Sequence, residues 1–267
     1  MKPEDQEDKD SMKQIRVRNL VLGDGIPKIC VPVIAHTYSE LEHSLGEIRK
    51  SSFDLVEFRA DFYFEEEEPA LEAVRSAAGD RPVLYTIRTN EEGGEISIDD
   101  DLYRERNLAA ARFADLVDVQ LERISRRAGD RVIHSDLVKQ LHAAGAGVVL
   151  SWHDFERTPD REQLARKMRR MHKEGCDIAK VAVMPRNRAD VMELLAASLE
   201  MLEEEDMCPF ISMSMGNLGK VTRAAGSFSG SCISFGMAGE SSAPGQIRAD
   251  LLRGILAVLD IPAAGPV

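Results

Sequence analysis

Beyond a polar stretch ending near Lys13, short runs of β-branched and other apolar residues alternate with longer stretches whose apolar positions recur every three or four residues. The alternation continues to the C-terminus. The runs KICVPVIA (28–35), DLVEFRAD (54–61), PVLYTIRT (82–89), LVDVQLE (116–122), GVVLSWHD (147–154), DIAKVAVM (177–184), PFISMSM (209–215) and CISFG (232–236) predict eight strands. Most are continuously apolar rather than strictly alternating, as suits parallel strands covered on both faces. Between them lie helices with recognisable faces. Thr37 and Glu40 are spaced as a capping box ahead of Leu41, Leu45 and Ile48, and Thr158-Pro159 offers a cap and a first-turn proline ahead of Leu164, Met168 and Met171. Val191, Leu194, Leu195, Leu199 and Leu202 predict one buried stripe, and Ile247, Leu251, Ile255 and Val258 the last one.

Eight strand–helix units in a chain of 267 residues predict an α/β fold of the (β/α)8 TIM-barrel type, whose usual size is about 250 residues. An open doubly wound sheet is the runner-up, but the chain lacks a Gly-x-Gly-x-x-Gly after its first strand. IRVRNLVLGDGIPK alternates and then turns at Gly23-Asp24-Gly25, which predicts an N-terminal β-hairpin closing the bottom of the barrel. The expected organisation is a disordered acidic tail over 1–13 and a single barrel domain over 14–267.

Composition narrows the partners. With 34 basic against 46 acidic residues the net charge is −12, so a general basic surface for nucleic acid is excluded. No apolar run approaches the ~18–20 residues of a membrane span, and the acidic first ten residues do not resemble a signal peptide, so a cytoplasmic location is expected. Cys30, Cys176, Cys208 and Cys232 are far apart, form no CxxC pair and sit beside apolar residues; they read as reduced core thiols. The six histidines show no metal-binding spacing, and no metal is expected.

In a barrel the chemistry belongs at the C-terminal strand ends. Those ends carry Glu57, Arg59, Asp61, Arg88, His153, Asp154, Lys180 and Met213. Lys180 is the most informative, because IAKVAV places one amine in an otherwise apolar strand. As free base such an amine is a nucleophile able to form a Schiff base with a ketone; as a cation it pairs with a barrel carboxylate. His153, on the adjacent strand, suits proton transfer near neutral pH. Arg59, Arg88 and Arg223 are planar forks for carboxylates, whether of a small-molecule substrate or of Glu57, Asp61 and Glu92. TNEEGGE, with Gly93-Gly94, reads as a solvated turn, and SSAPGQI (241–247) as a small-residue loop that either caps the last helix or closes over a ligand.

NLVLGDGIPKICV, VEFRAD, TIRTNEEGGE, SWHDFERTP, IAKVAVMP, ISMSMG, VTRAAGSFSGS and SSAPGQI, in this order, resemble the type I 3-dehydroquinate dehydratases from about Asn19 to Leu259. The resemblance implies a cofactor-free homodimer that converts 3-dehydroquinate into 3-dehydroshikimate by syn elimination in the shikimate pathway. It places the imine-forming lysine on Lys180, the acid/base histidine on His153 and its carboxylate partner on Glu92. Substrate contacts fall on Glu57, Phe58, Arg59, Arg88, Met213, Arg223, Ser242 and Gln246. Pro32 stands where some members carry a substrate-contacting serine, and it offers neither hydroxyl nor N–H. A Schiff-base aldolase would use the same lysine, and a non-catalytic barrel module would keep the polar strand ends as ion pairs.

Overall fold

The computed structural model describes residues 13–125, 127–128, 131–132, 136–238 and 245–260. All eight predicted strands form, most of them trimmed at the ends where the chain turns into loops. They are β1 (Lys28–Val33), β2 (Leu55–Arg59), β3 (Val83–Thr86), β4 (Leu116–Gln120), β5 (Gly147–Asp154), β6 (Ile178–Val183), β7 (Phe210–Ser214) and β8 (Ile233–Met237). β1 to β7 pair in parallel in chain order, and β8 returns to pair with β1, Phe235 opposite Cys30. At the lower, N-terminal end the ring closes between β7 and β8, where Cys232 N–H donates to Phe210 O at 2.8 Å and Ser212 N–H to Ser231 Oγ at 3.1 Å. At the upper end the short strand Ile247–Arg248 lies along β8, Ile247 opposite Gly236. This is the expected (β/α)8 barrel, with its apolar core between the strands and the surrounding helices.

Three odd-to-even strand steps share one device. Asp54, Asp115 and Asp177 stand directly ahead of β2, β4 and β6, and each donates its N–H to the carbonyl of Ile29, Val83 or Val148 at 2.9 Å. Each carboxylate then accepts the N–H of that same residue, at 2.7, 2.8 and 2.7 Å. Strand starts, whose first N–H groups would otherwise lack partners, are thereby tied in pairs. Asp115 carries the most, because Arg18 and Arg75 also pair with it. Asp115→Ala leaves the buried Val83 N–H unsatisfied and is expected to lower unfolding free energy by about 2–3 kcal/mol. Urea denaturation checks this, and a change below about 0.5 kcal/mol would show that the strand-start pairing carries little weight.

The N-terminal hairpin forms from Ile15–Val17 and Leu20–Leu22, paired antiparallel. Its turn is at Arg18-Asn19, not at the predicted Gly23-Asp24-Gly25. A two-residue hairpin loop needs a positive φ, which here comes from Arg18 (φ 50°), held by its ion pair to Asp115. Gly23 and Gly25, also at positive φ, instead bend the chain into β1. The hairpin lies against strand starts at the lower end, and Lys13, expected in the tail, donates its N–H to Met207 O at 3.2 Å. The rest of the predicted tail lies outside the described residues.

Four helix expectations need correction. At helix Tyr38–Ile48, Thr37 caps as predicted by accepting Glu40 N–H, but the Glu40 carboxylate accepts from His36 N–H at 2.7 Å, one residue beyond the capping-box partner. Helix Arg161–Lys173 is capped by Asp160, which accepts Gln163 N–H at 2.8 Å, and not by Thr158. Helix Arg188–Leu202 buries Val191, Leu194, Ala197, Ser198 and Met201, leaving Leu195, Leu199 and Leu202 half-buried. Its small residues allow close approach to β7, where Ser198 Oγ donates to Ser212 Oγ at 2.7 Å. Helix Ala249–Val258 buries Ala249, Leu252 and Leu256, whereas the predicted Leu251 and Val258 are 60% and 82% exposed. Its apolar arc covers more than half the circumference, broken by Asp250 and Arg253, so periodicity leaves the centre of the buried face open.

Candidate active site

The barrel's period of two aims alternate side chains inward. On β2 these are Glu57 and Arg59, with Thr86 and Arg88 from β3 and its following loop, Ser151 and His153 on β5, Lys180 and Ala182 on β6, and Met213 on β7. Register confirms the layering: Lys180 is opposite Ser151 and Ala182 opposite both His153 and Met213. A cavity of ≈ 210 Å³ opens at the C-terminal strand ends and is lined by Glu57, Arg59, Arg88, His153, Lys180 and Met213, together with Arg223 and Gln246. Eight of the predicted site residues therefore meet in one place. Phe58 does not line it. Between two inward residues it must face outward, and its ring packs against Tyr63 and Tyr85. Ser242 lies outside the described residues. Pro32 is buried opposite Glu57 and does not line the cavity.

Lys180 ends among three partners. Its Nζ donates to Asp118 Oδ2 at 2.8 Å, lies 3.8 Å from Glu57 Oε1, and stands 4.9 Å from the centre of the Phe235 ring. Asp118, fully buried on β4, also accepts from Arg88 at 2.7 Å and from Ser151 Oγ at 2.5 Å. Burial opposes its ionisation, yet Arg88 and Lys180 outweigh it and hold the carboxyl well below the usual range. Glu57 in turn accepts from Thr86 Oγ1 at 2.8 Å. Asp118 and Ser151 escape sequence reasoning, because one acid in LVDVQ and one serine in VLSW look like isolated polar lapses in core strands.

Arg59 and Arg88 satisfy local carboxylates while still facing the cavity. Arg59 makes a two-pronged pair with Asp61 at 2.9 and 2.7 Å and lies 4.7 Å over the Phe62 ring. Arg88 joins Asp118 and Glu92. Arg223 donates to Phe235 O at 3.4 Å, and burial pulls its pKa down to about 10.

The Gly93-Gly94 turn is not the loose loop its sequence suggests. Asn90–Glu92 makes one 3-10 turn ended by Gly93 at φ 78°, where a Cβ would meet the Phe155 ring at 2.4 Å. A Cβ on Gly94 would lie 1.8 Å from Arg88 O. The tight turn buries Glu92 against His153: its Oε2 accepts His153 N–H at 3.1 Å and lies 2.9 Å from Nδ1. Burial raises the Glu92 carboxyl to about 7 although Arg88 opposes this, and burial together with Arg88 and Lys180 holds the imidazole well below its ordinary value.

This dyad has a stability signature. Between about pH 6.5 and 4.5 the folded pair holds one proton on Glu92, while the unfolded chain holds one on the histidine, so their difference contributes no slope. Glu92→Gln removes the folded-state proton site. As pH then falls below 6.5 only the unfolded histidine gains a proton, and stability drops by roughly 1.4 kcal/mol per pH unit. Thermal or urea unfolding across pH 4.5–7 should show this earlier acid loss in the variant; parallel profiles for both proteins would refute the assignment.

Comparison with known proteins places the chain in a family. The family model for type I 3-dehydroquinase matches residues 29–262. The chain belongs to the type I 3-dehydroquinase family. The 3-dehydroquinate dehydratase of Syntrophotalea carbinolica is 42% identical over 255 residues, covering 93% of this chain and 98% of that protein. Among solved structures of the family, the Clostridium difficile type I enzyme with covalently modified comenic acid superposes with a TM-score of 0.85 at 36% identity, covering 93% of this chain and 98% of that one. The Geobacillus kaustophilus enzyme gives 0.85 at 37% identity, covering 94% and 98%. As in sequence, the type I 3-dehydroquinase match spans nearly all of the barrel. Among the described residues, no helix is long and apolar enough to cross a membrane.

Proposed function

We propose that this chain is a 3-dehydroquinate dehydratase that forms a Schiff base between Lys180 and the substrate ketone and eliminates water to give 3-dehydroshikimate. The observation that carries this reading is the placement of Lys180 in a cavity also lined by His153, the histidine itself braced by Glu92. The Lys180 ammonium passes a proton through His153, the free amine attacks the ketone, and that proton returns to the carbinolamine hydroxyl, which leaves as water and gives a protonated imine. That cation draws electrons from the adjacent C–H bond, so His153 can remove the proton and leave an enamine. His153 then protonates the departing β-hydroxyl on the same face. Hydrolysis of the product imine releases Lys180.

Arg223 lines the cavity and offers a planar guanidinium fork, which suits the substrate carboxylate. Glu57, Arg59, Arg88 and Gln246 present polar groups to the ring hydroxyls, and Met213 forms an apolar wall. The deciding assay is incubation with 3-dehydroquinate, read by the ultraviolet absorbance of the enone product. Expected is a steady rise; labelling of Lys180 by other ketones with 3-dehydroquinate left intact would point to an aldolase.

We further infer that residues 14–267 act as one cytoplasmic domain and that two copies pair. The family resemblance supports pairing, as does an exposed apolar surface on neighbouring helices: Leu218 and Val221 on Gly216–Ala224, and Leu251 and Val258 on Ala249–Val258. Sedimentation velocity on Val221→Glu/Leu251→Glu should show a dimer turned into a monomer; an unchanged dimer would place the interface elsewhere.

A further inference from the structure

Two of the four cysteines meet. Cys176 follows helix Arg161–Lys173 two residues ahead of β6, Cys208 lies two residues ahead of β7, and those strands are parallel neighbours with Ala179 opposite Phe210. Their sulfurs are 3.7 Å apart, and His172, on the last turn of the preceding helix, lies close enough to favour a thiolate on Cys208. Both thiols are buried, yet the residues directly before Cys176, namely Lys173, Glu174 and Gly175, are exposed. Closing the gap to a disulfide's ~2.05 Å needs a movement of under about 2 Å, and Gly175 (φ 87°) already places a turn there.

We propose that Cys176 and Cys208 are a peroxide-responsive dithiol at the lower end of the barrel, with Cys208 the attacking sulfur and Cys176 the resolving one. The roles follow from the surroundings. The hydrogen bond it shares with Cys176, against the opposing effect of burial, brings the Cys208 thiol down to about 7, and His172 adds to the lowering. The same hydrogen bond, reinforced by burial, pushes Cys176 well up. A stabilised thiolate beside a protonated thiol is the arrangement that favours sulfenic acid on the first and disulfide closure by the second.

The chemistry balances with hydrogen peroxide as oxidant. The Cys208 thiolate attacks one peroxide oxygen; an S–O bond forms, the O–O bond breaks, and the departing hydroxide takes a proton to become water. The Cys176 sulfur then attacks Cys208; an S–S bond forms, the S–O bond breaks, and the hydroxyl leaves as water with the Cys176 proton. The two thiols lose two electrons and two protons, and the peroxide is reduced to two waters. The bridge would tie the starts of the two strands that carry Lys180 and Met213 at the end of the barrel opposite the cavity.

The test treats the reduced full-length protein with hydrogen peroxide and reads intact mass and non-reducing peptide maps. Expected is a loss of about 2 Da, a Cys176–Cys208 cross-link, and reversal by dithiothreitol. Cys176→Ser should stop at a Cys208 sulfenic acid that dimedone captures, and Cys208→Ser or Cys208→Ala should yield neither product. His172→Gln should slow the oxidation several-fold. Dehydratase activity, which depends on the opposite end of the barrel, reports that each variant is folded. Oxidation of Cys30 or Cys232 ahead of Cys208, no dimedone adduct in Cys176→Ser, or an unchanged rate in His172→Gln would overturn the assignment.

Discussion

Lys180→Ala should abolish dehydration of 3-dehydroquinate, lowering kcat on the order of 10⁵-fold or more, because a nucleophile that forms the covalent intermediate has no substitute in the cavity. Borohydride added with substrate should trap a secondary amine on Lys180 in the unaltered protein and on no residue of the variant. Turnover within tenfold of the original, or an adduct on another lysine, would end the covalent reading. The loss must be separated from damage to the fold, since removing Lys180 leaves the buried Asp118 carboxylate with Arg88 as its remaining cation. Lys180→Met, which keeps most of the volume, together with a thermal unfolding curve makes that separation. Asp118→Asn addresses the position of the amine rather than its presence. With Nζ no longer held by an anion at 2.8 Å, imine formation should slow by roughly ten- to a hundredfold while the lysine remains trappable.

The strands were legible because buried parallel strands demand uninterrupted β-branched runs, and the site because polar residues at inward strand ends break those runs. Lys180 stands out in IAKVAV for that reason alone. Phe58 separates the two kinds of reading: strict alternation along VEFRAD turns its ring outward, towards Tyr63 and Tyr85, while resemblance places the residue at the substrate. Asp118 and Ser151 were invisible for a different cause. Each is an ordinary lone polar residue on its own strand, and only lateral pairing of β4, β5 and β6 brings them to Lys180 and Arg88. Glu92 was reached through resemblance, because glycine content suggests freedom where steric crowding by Phe155 and Arg88 in fact enforces one tight turn. The Cys176–Cys208 contact depends on two loops 32 residues apart, which no local pattern reports.

His153→Ala should still form the imine slowly but fail at elimination, with kcat reduced by roughly 10²–10⁴-fold. Rapid quench with borohydride should then find substrate-derived adduct accumulating on Lys180; undiminished turnover would remove His153 from the mechanism. The reason lies in how the dyad handles a proton in a cationic pocket. A lone imidazole flanked by Arg88 and Lys180 resists becoming a cation, which is why burial and those charges depress it. As a base it must nevertheless accept a proton from carbon at Nε2. Nδ1, 2.9 Å from Glu92, can pass its own proton to the carboxylate in the same step. The imidazole then stays neutral and now carries a proton on the nitrogen that faces substrate, ready for the departing hydroxyl. A carboxyl raised to about 7 is matched to that exchange, whereas one at its ordinary value of 4.5 would leave a buried imidazolium. The acid limb of kcat/KM should therefore fall near pH 7 and belong to the pair. In Glu92→Gln it should move below 6.5, towards the depressed value of the histidine, while kcat drops because the proton has nowhere to go; an acid limb unmoved by that substitution would show that Glu92 only orients the ring.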